Sequence, residues 1–274
     1  MVWKRAGAAA GLALTAMVAG AAVADTTLPE VSDVVPGHPG VTYGDLLERA
    51  IPKAPVKPLR HLAGKAFEGE PPDPLAANGF EAVRVKAGGR DRIVLLIDLG
   101  EDPDRAQGAA LMALFDDGPT PRLLDEADVG VDKDTGFNDP TRLSLGPGDD
   151  ALITLSEHSN SNQAYVGRLL VFVRGDKLQL IDDVSTFQDQ GCGWRRDETP
   201  TFTTRPDPGR AYRRVDVVIR EVLKRTDEDC GDDKVPRAYA RAWRGAWRWD
   251  ASRGAFKSTS ADLDRLDTLN EARF

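Results

Sequence analysis

From Phe80 to Phe256 the chain is a succession of short apolar runs separated by turn residues, with no amphipathic helical stretch between them. Parallel neighbours in a sheet need a long crossover, usually a helix, whereas antiparallel neighbours need only a tight turn. Strand following strand therefore restricts this stretch to antiparallel sheets. The run 93–97 (Ile-Val-Leu-Leu-Ile) has no polar phase and suits a strand buried on both faces. Val215, Val217, Ile219 and Leu223 alternate with Asp216, Arg220 and Lys224, the period of a strand with one buried face. Runs 109–115 and 122–129 flank Asp117-Gly118-Pro119 and read as a hairpin, although 110–115 also fits one face of a short helix. Runs 151–155 and 165–173 are strands joined by a polar loop at 156–163. Further strands fall at 178–187, at 215–224 and in a last hairpin about Ser252-Arg253-Gly254.

This gives nine or ten strands. Leu263, Leu266 and Leu269 then recur in a polar context, predicting a C-terminal helix capped near Thr259 or Ser260. The expected fold is mainly β: antiparallel sheets arranged as a sandwich, an open barrel or a curved meander, with a short N-terminal helix and a C-terminal helix.

The chain before residue 79 is different. Lys4 and Arg5, a charge-free Ala-rich stretch and Ala22-Val23-Ala24 before Asp25 make up the parts of a signal peptide over residues 1–24. Residues 25–78 contain nine of the 18 prolines and read as an extended arm. Thr42 and Asp45 can cap one short helix in it, with Leu46, Leu47, Ala50 and Ile51 as its apolar side and Pro52 as its end. Residues 79–274 form the single β-rich domain.

Several features bear on function. Cys192 and Cys230 are the only cysteines, and in an exported chain they read as one disulfide. Such a bond would tether the poorly apolar excursion 192–214 and contribute up to about 4 kcal/mol. The polar loop holding Glu157, His158, Asn160 and Asn162 is a candidate site, because loops on rigid strands carry function. The same residues also suit a solvated turn. Asp132 and Asp134 resemble the first ligands of a calcium loop, but Lys133 sits between them and the glycine comes early. Calcium is thus a weak cofactor candidate; otherwise no cofactor is expected. Trp243, Trp247 and Trp249, interleaved with Arg241, Arg244 and Arg248, read as a strand with its tryptophans facing the core and its arginines outside.

The net charge of −8 argues against nucleic acid as a partner. After signal cleavage no further long apolar run remains, so no membrane contact is expected. Nucleophile-elbow, P-loop, dinucleotide-binding and zincin motifs do not occur, and no His follows His158 to pair with a reactive Cys192. The sequence therefore points to an exported protein of a bacterial envelope, periplasmic or secreted. A non-catalytic binding, structural or inhibitory domain, with an envelope protein or a glycan as partner, fits best. The alternative is a secreted hydrolase acting on glycan or peptidoglycan through two carboxylates, which would have to face each other across a cleft.

Overall fold

The computed structural model describes residues 28–51, 60–63, 79–101, 108–231 and 234–273; the expected signal peptide lies outside them. The elements are α1 (Tyr43–Ala50), β1 (Gly79–Ala87), β2 (Arg90–Glu101), β3 (Gly108–Asp116), β4 (Leu123–Asp128), β5 (Thr135–Gly146), β6 (Asp149–Asn160), β7 (Gln163–Arg174), β8 (Lys177–Gly191), β9 (Trp194–Arg205), β10 (Arg214–Arg225), β11 (Tyr239–Asp250), β12 (Ala255–Ser258) and α2 (Asp262–Glu271). The strands form two antiparallel sheets in which each strand pairs with its chain neighbours: β1 to β4 in one, β5 to β12 in the other. Neither sheet closes. The mainly β expectation holds: two unclosed antiparallel sheets in meander order, with, among the described residues, a short helix before them and a helix after them.

The four-stranded sheet is buried on both faces. Ile93, Leu95 and Ile97 of β2 pack with Val35, Val41, Leu46 and Ala50 of the N-terminal segment. Val94 and Leu96 point the other way, onto Leu152, Leu169 and Val171 of the second sheet. The apolar run in β2 has no polar phase because neither of its faces meets water. α1 begins in the expected capping box: the Asp45 N–H donates to Thr42 Oγ1 (3.2 Å) and the Thr42 N–H to Asp45 Oδ2 (2.7 Å). The stretch 110–115 lies within strand β3, paired with β2 and β4, so the helical reading of it fails.

In the eight-stranded sheet β8 and β9 pair only from Asp189–Arg196 to Gly191–Trp194, so the ladder opens away from their turn. Residues of β5 to β12 then meet across one apolar core, including Leu145, Phe172, Val184, Phe202, Val217 and Trp247. α2 adds Leu263 and Leu266 to this core, while Leu269 is left exposed. The leucine spacing of three drifts off a 3.6-residue helical face, and Asn270 takes the next buried position instead. α2 sits close to β11 because Gly245 has no side chain; a Cβ there would lie 2.5 Å from Leu263 Cδ1.

The described residues form twelve strands, more than the nine or ten that the apolar pattern predicts, for two reasons. The apolar pattern predicts an excursion over 192–214, but β9 pairs with β10 from Arg205–Arg214 to Trp194–Arg225. It escapes an apolar-periodicity argument because Arg196 and Glu198 occupy buried positions in it. β5 carries Pro140 and lies at the sheet edge, the place where proline is tolerated in a strand.

Candidate functional site

The disulfide is present: Cys192 and Cys230 are joined, with Cα atoms 5.6 Å apart. Since β9 is a strand, the bond does not tether 192–214. It fastens the segment after β10 to the β8–β9 turn, where Thr226 N–H also donates to Gly193 O (2.9 Å). Gly193 has φ +75°, and a Cβ on it would lie 2.8 Å from Cys230 Sγ, so glycine is needed there.

The polar residues expected in a loop lie mostly in strands. Glu157, His158 and Asn160 belong to β6, and only Ser161 and Asn162 form the turn to β7. His158 pairs across the ladder with Tyr165 and stacks on it, with ring centroids 6.0 Å apart. His158 Nδ1 is 2.7 Å from Asp132 Oδ2, so two separately chosen candidates form one pair. Asp134 stands apart, exposed, at φ +39° just before β5. The calcium candidate thus has its first carboxylate occupied by a histidine.

A larger polar constellation lies where β9, β10, β11 and α2 meet. Glu198 and Glu221 are cross-strand partners and are almost fully buried. Glu221 accepts from Tyr239 Oη (2.6 Å), Arg241 Nε (2.5 Å) and Nη2 (2.9 Å), Trp243 Nε1 (2.8 Å) and Arg273 Nη2 (2.8 Å). Glu198 accepts from the Phe187 N–H (2.9 Å), Asn270 Nδ2 (2.9 Å) and Arg273 Nη1 (3.1 Å). One guanidinium, just past α2, therefore bonds both carboxylates.

The two acids respond differently. Burial alone would raise Glu221, but the donors from Arg241, Tyr239 and Trp243 and the charge of Arg273 bring its pKa down to about 2. Burial raises Glu198, and its fewer donors and the neighbouring Glu221 charge leave it above the usual carboxylate range. Next to them Asp189 bonds the Arg196 guanidinium, which also lies over the Phe187 ring.

The tryptophans sort largely as expected. Trp247 and Trp249 are buried, Trp243 packs against the same core, and Arg244 is exposed. Arg241 departs from the pattern, because it shares the tryptophan face and bonds Glu221. Sequence reasoning passed over Glu198, Glu221, Asn270 and Arg273. For Glu221 a signal existed: it falls in the buried phase of Val215, Val217, Ile219 and Leu223, where a charge has to find partners.

Two shallow depressions lie at opposite ends of this sheet. One, of about 390 Å³, is bordered by Pro208, Arg210, Arg248 and Trp249, where Arg248 and Arg210 are both paired with Asp207. The other, of about 170 Å³, lies between the β6–β7 and β8–β9 turns and is bordered by Asn160, Asn162, Gln163, Gln188, Asp189 and Arg195. Comparison of the chain with family models, curated proteins and solved structures finds no match.

Proposed function

We propose that the protein is an exported, non-catalytic binding domain of a bacterial cell envelope. The observation that carries this reading is Arg273 between Glu198 and Glu221. A carboxylate-dependent hydrolase needs two acids facing each other with substrate between them. The buried pair Glu198 and Glu221 is joined by a guanidinium of the chain itself, and the hydrogen bonds of Arg273 hold α2 to the sheet. The pair thus acts as a strut. The disulfide supports export, since such bonds persist in oxidising compartments. The turn Ser161-Asn162 and the strand ends beside it give the sheet a polar tip carried on rigid strands, a place suited to binding.

The test has two parts. The full chain, expressed in a bacterial host and fractionated, is expected in the periplasm or medium with an N-terminus at Asp25. Incubated with purified cell-wall sacculi, it is expected to co-sediment without releasing soluble fragments. Release of soluble fragments by the purified wild-type protein would instead establish the hydrolase.

A further inference from the structure

We propose that the outward face of β9 to β12 is a docking surface for a linear polyanionic glycan, engaged by a row of four cations, Arg205, Arg214, Arg248 and Lys257. This rests on the reading of the protein as a binding domain and gives that domain a ligand class.

Strand register builds the row. Val215 lies opposite Trp247, and both belong to the core. Successive residues of a strand point to opposite faces, so the next residues along, Arg214 and Arg248, turn outward together. Arg214 is paired with Arg205 in β9, and Arg248 with Lys257 in β12. Four neighbouring strands thus each place one cation at the same level. At a strand spacing of about 4.8 Å the row is about 14 Å long. The side chains of Arg205, Arg214 and Arg248 are 65%, 36% and 41% exposed, and Lys257 is exposed, so a ligand can reach all four.

Like charges directly opposite one another destabilise a sheet, and this row is only partly neutralised. Asp216 pairs with Arg214 (2.9 Å) and Arg205 (3.6 Å). Asp207 holds Arg248 in a forked pair and meets Arg210 of the β9–β10 loop at 3.3 Å. Among the described residues no carboxylate pairs with Lys257. Five cations against two carboxylates leave three positive charges at this level, in a chain whose net charge is −8. Arg220 and Arg244 extend the same exposed face, again with no carboxylate partner among the described residues.

The two acids orient the cations and leave donors for a ligand. A guanidinium has five N–H groups. Arg248 uses Nε and Nη2 on Asp207, and Arg214 uses Nε on Asp216. Nη1 of Arg248 and both terminal nitrogens of Arg214 have no acceptor among the described residues. The depression bordered by Arg210 and Arg248 opens beside them.

The surroundings decide the class of polyanion. One small anion cannot touch cations spread over four strands. Single-stranded nucleic acid stacks its bases on aromatic side chains, and a membrane surface takes up apolar side chains along with basic ones. Next to the row this face offers Thr201, Thr203, Val218 and Ala246 instead. Thr201 and Thr203 are exposed in the same phase as Arg205, and their hydroxyls can both donate to and accept from sugar hydroxyls.

The test is a calorimetric titration of the purified protein with polygalacturonate, which bears carboxylates, and with dextran sulfate; unsulfated dextran is the neutral control. Binding of at least one polyanion and not of dextran is expected, with the stronger ligand naming the anionic group. Its affinity should fall at least about tenfold between about 50 and about 200 mM salt. Replacing Arg205 and Lys257 together by Gln should weaken binding about tenfold or more. Lys257→Gln alone, at a side chain without an ion-pair partner, should weaken it about threefold and serves if the double variant fails to fold. Arg122→Gln, which removes an exposed cation beside the four-stranded sheet, should bind as wild type. The surface is overturned if neither polyanion binds, if binding ignores salt, if the folded row variants bind unchanged, or if Arg122→Gln weakens binding equally. Tighter binding of single-stranded DNA or of phosphatidylglycerol vesicles than of either glycan would overturn the glycan assignment. Sacculus co-sedimentation separates the two readings. Retention of wild type without binding to either polyanion refutes the docking surface while the binding-domain reading stands. Failure of wild type to co-sediment counts against that reading, and the polyanion titrations still decide the surface.

Discussion

Glu198 and Glu221 lie directly opposite each other on adjacent strands, both buried, and Arg273 bonds each with a separate nitrogen. Two like charges at directly opposite positions destabilise a sheet, so the pair persists only because cations and neutral donors surround it. The C-terminal helix is therefore fastened at one end by Leu263 and Leu266 in the core and at the other by this ionic clamp.

Removing the clamp should be expensive. Arg273→Ala leaves two buried carboxylates facing each other, and the expected loss is about 3–5 kcal/mol in urea denaturation. Arg273→Lys should recover only part of it, because one ammonium group cannot fork between two carboxylates as a guanidinium does. A variant as stable as wild type would show that α2 is held by its leucines alone.

Acid should loosen the same junction. The pKa of Glu221 is about 2 in the folded protein against 4.5 ordinarily, so its contribution is fully present above about pH 4.5 and is lost as pH falls towards 2. That contribution is on the order of 3 kcal/mol. Glu198, raised by burial, works in the opposite sense and offsets part of the loss. Glu221→Gln should flatten the acid limb of a stability–pH curve below pH 4.5, and an unchanged limb would contradict the assignment.

Replacing Cys192 and Cys230 with serine should lower stability by up to about 4 kcal/mol. The loosened part is expected to be the segment between β10 and β11 rather than β9, whose ladder with β10 does not depend on the bond. Amide hydrogen exchange distinguishes the two. Titration of the denatured, unreduced protein should find no free thiol.

Gly245→Ala should cost about 1–3 kcal/mol by overpacking. The new methyl would meet Leu263 and also Val217 Cγ1, at 2.9 Å. Since α2 can move more easily than the strand beneath it, protease cleavage within residues 262–273 should accelerate while the sheet stays intact. Equal cleavage rates would mean that the helix does not rest on Gly245.

Asp267 in α2 has its carboxyl raised to about 6, by burial first and then by the charges of Asp183 and Asp264. An acid raised in this way penalises the fold while ionised, fully above about pH 6, and the penalty is relieved as pH falls towards 3.8. Asp267→Asn should therefore stabilise the protein near neutral pH, by about 1 kcal/mol given its partial exposure. The gain should shrink on acidification; thermal melts from pH 8 to pH 5 check both points.

The order of elements was legible in the chain because it follows from local chemistry. The capping box of Thr42 and Asp45, the alternation along 215–223 and the turn residues between strands each act over a few neighbours, and all appear in the structure. The two-sided burial of β2 was also written in its composition. What only the tertiary structure decided is where charges are buried. β9 has polar residues at buried positions, so its strand character depends on its pairing with β10 and on Asn270 of α2, 72 residues from Glu198. Arg273 reaches Glu198 and Glu221 across 75 and 52 residues, a distance no periodicity spans. His158 and Asp132 were each visible as polar residues, but only the fold made them a pair. Apolar patterning specifies which face of a strand is buried, whereas the partner of a buried charge is set by the packing of whole elements.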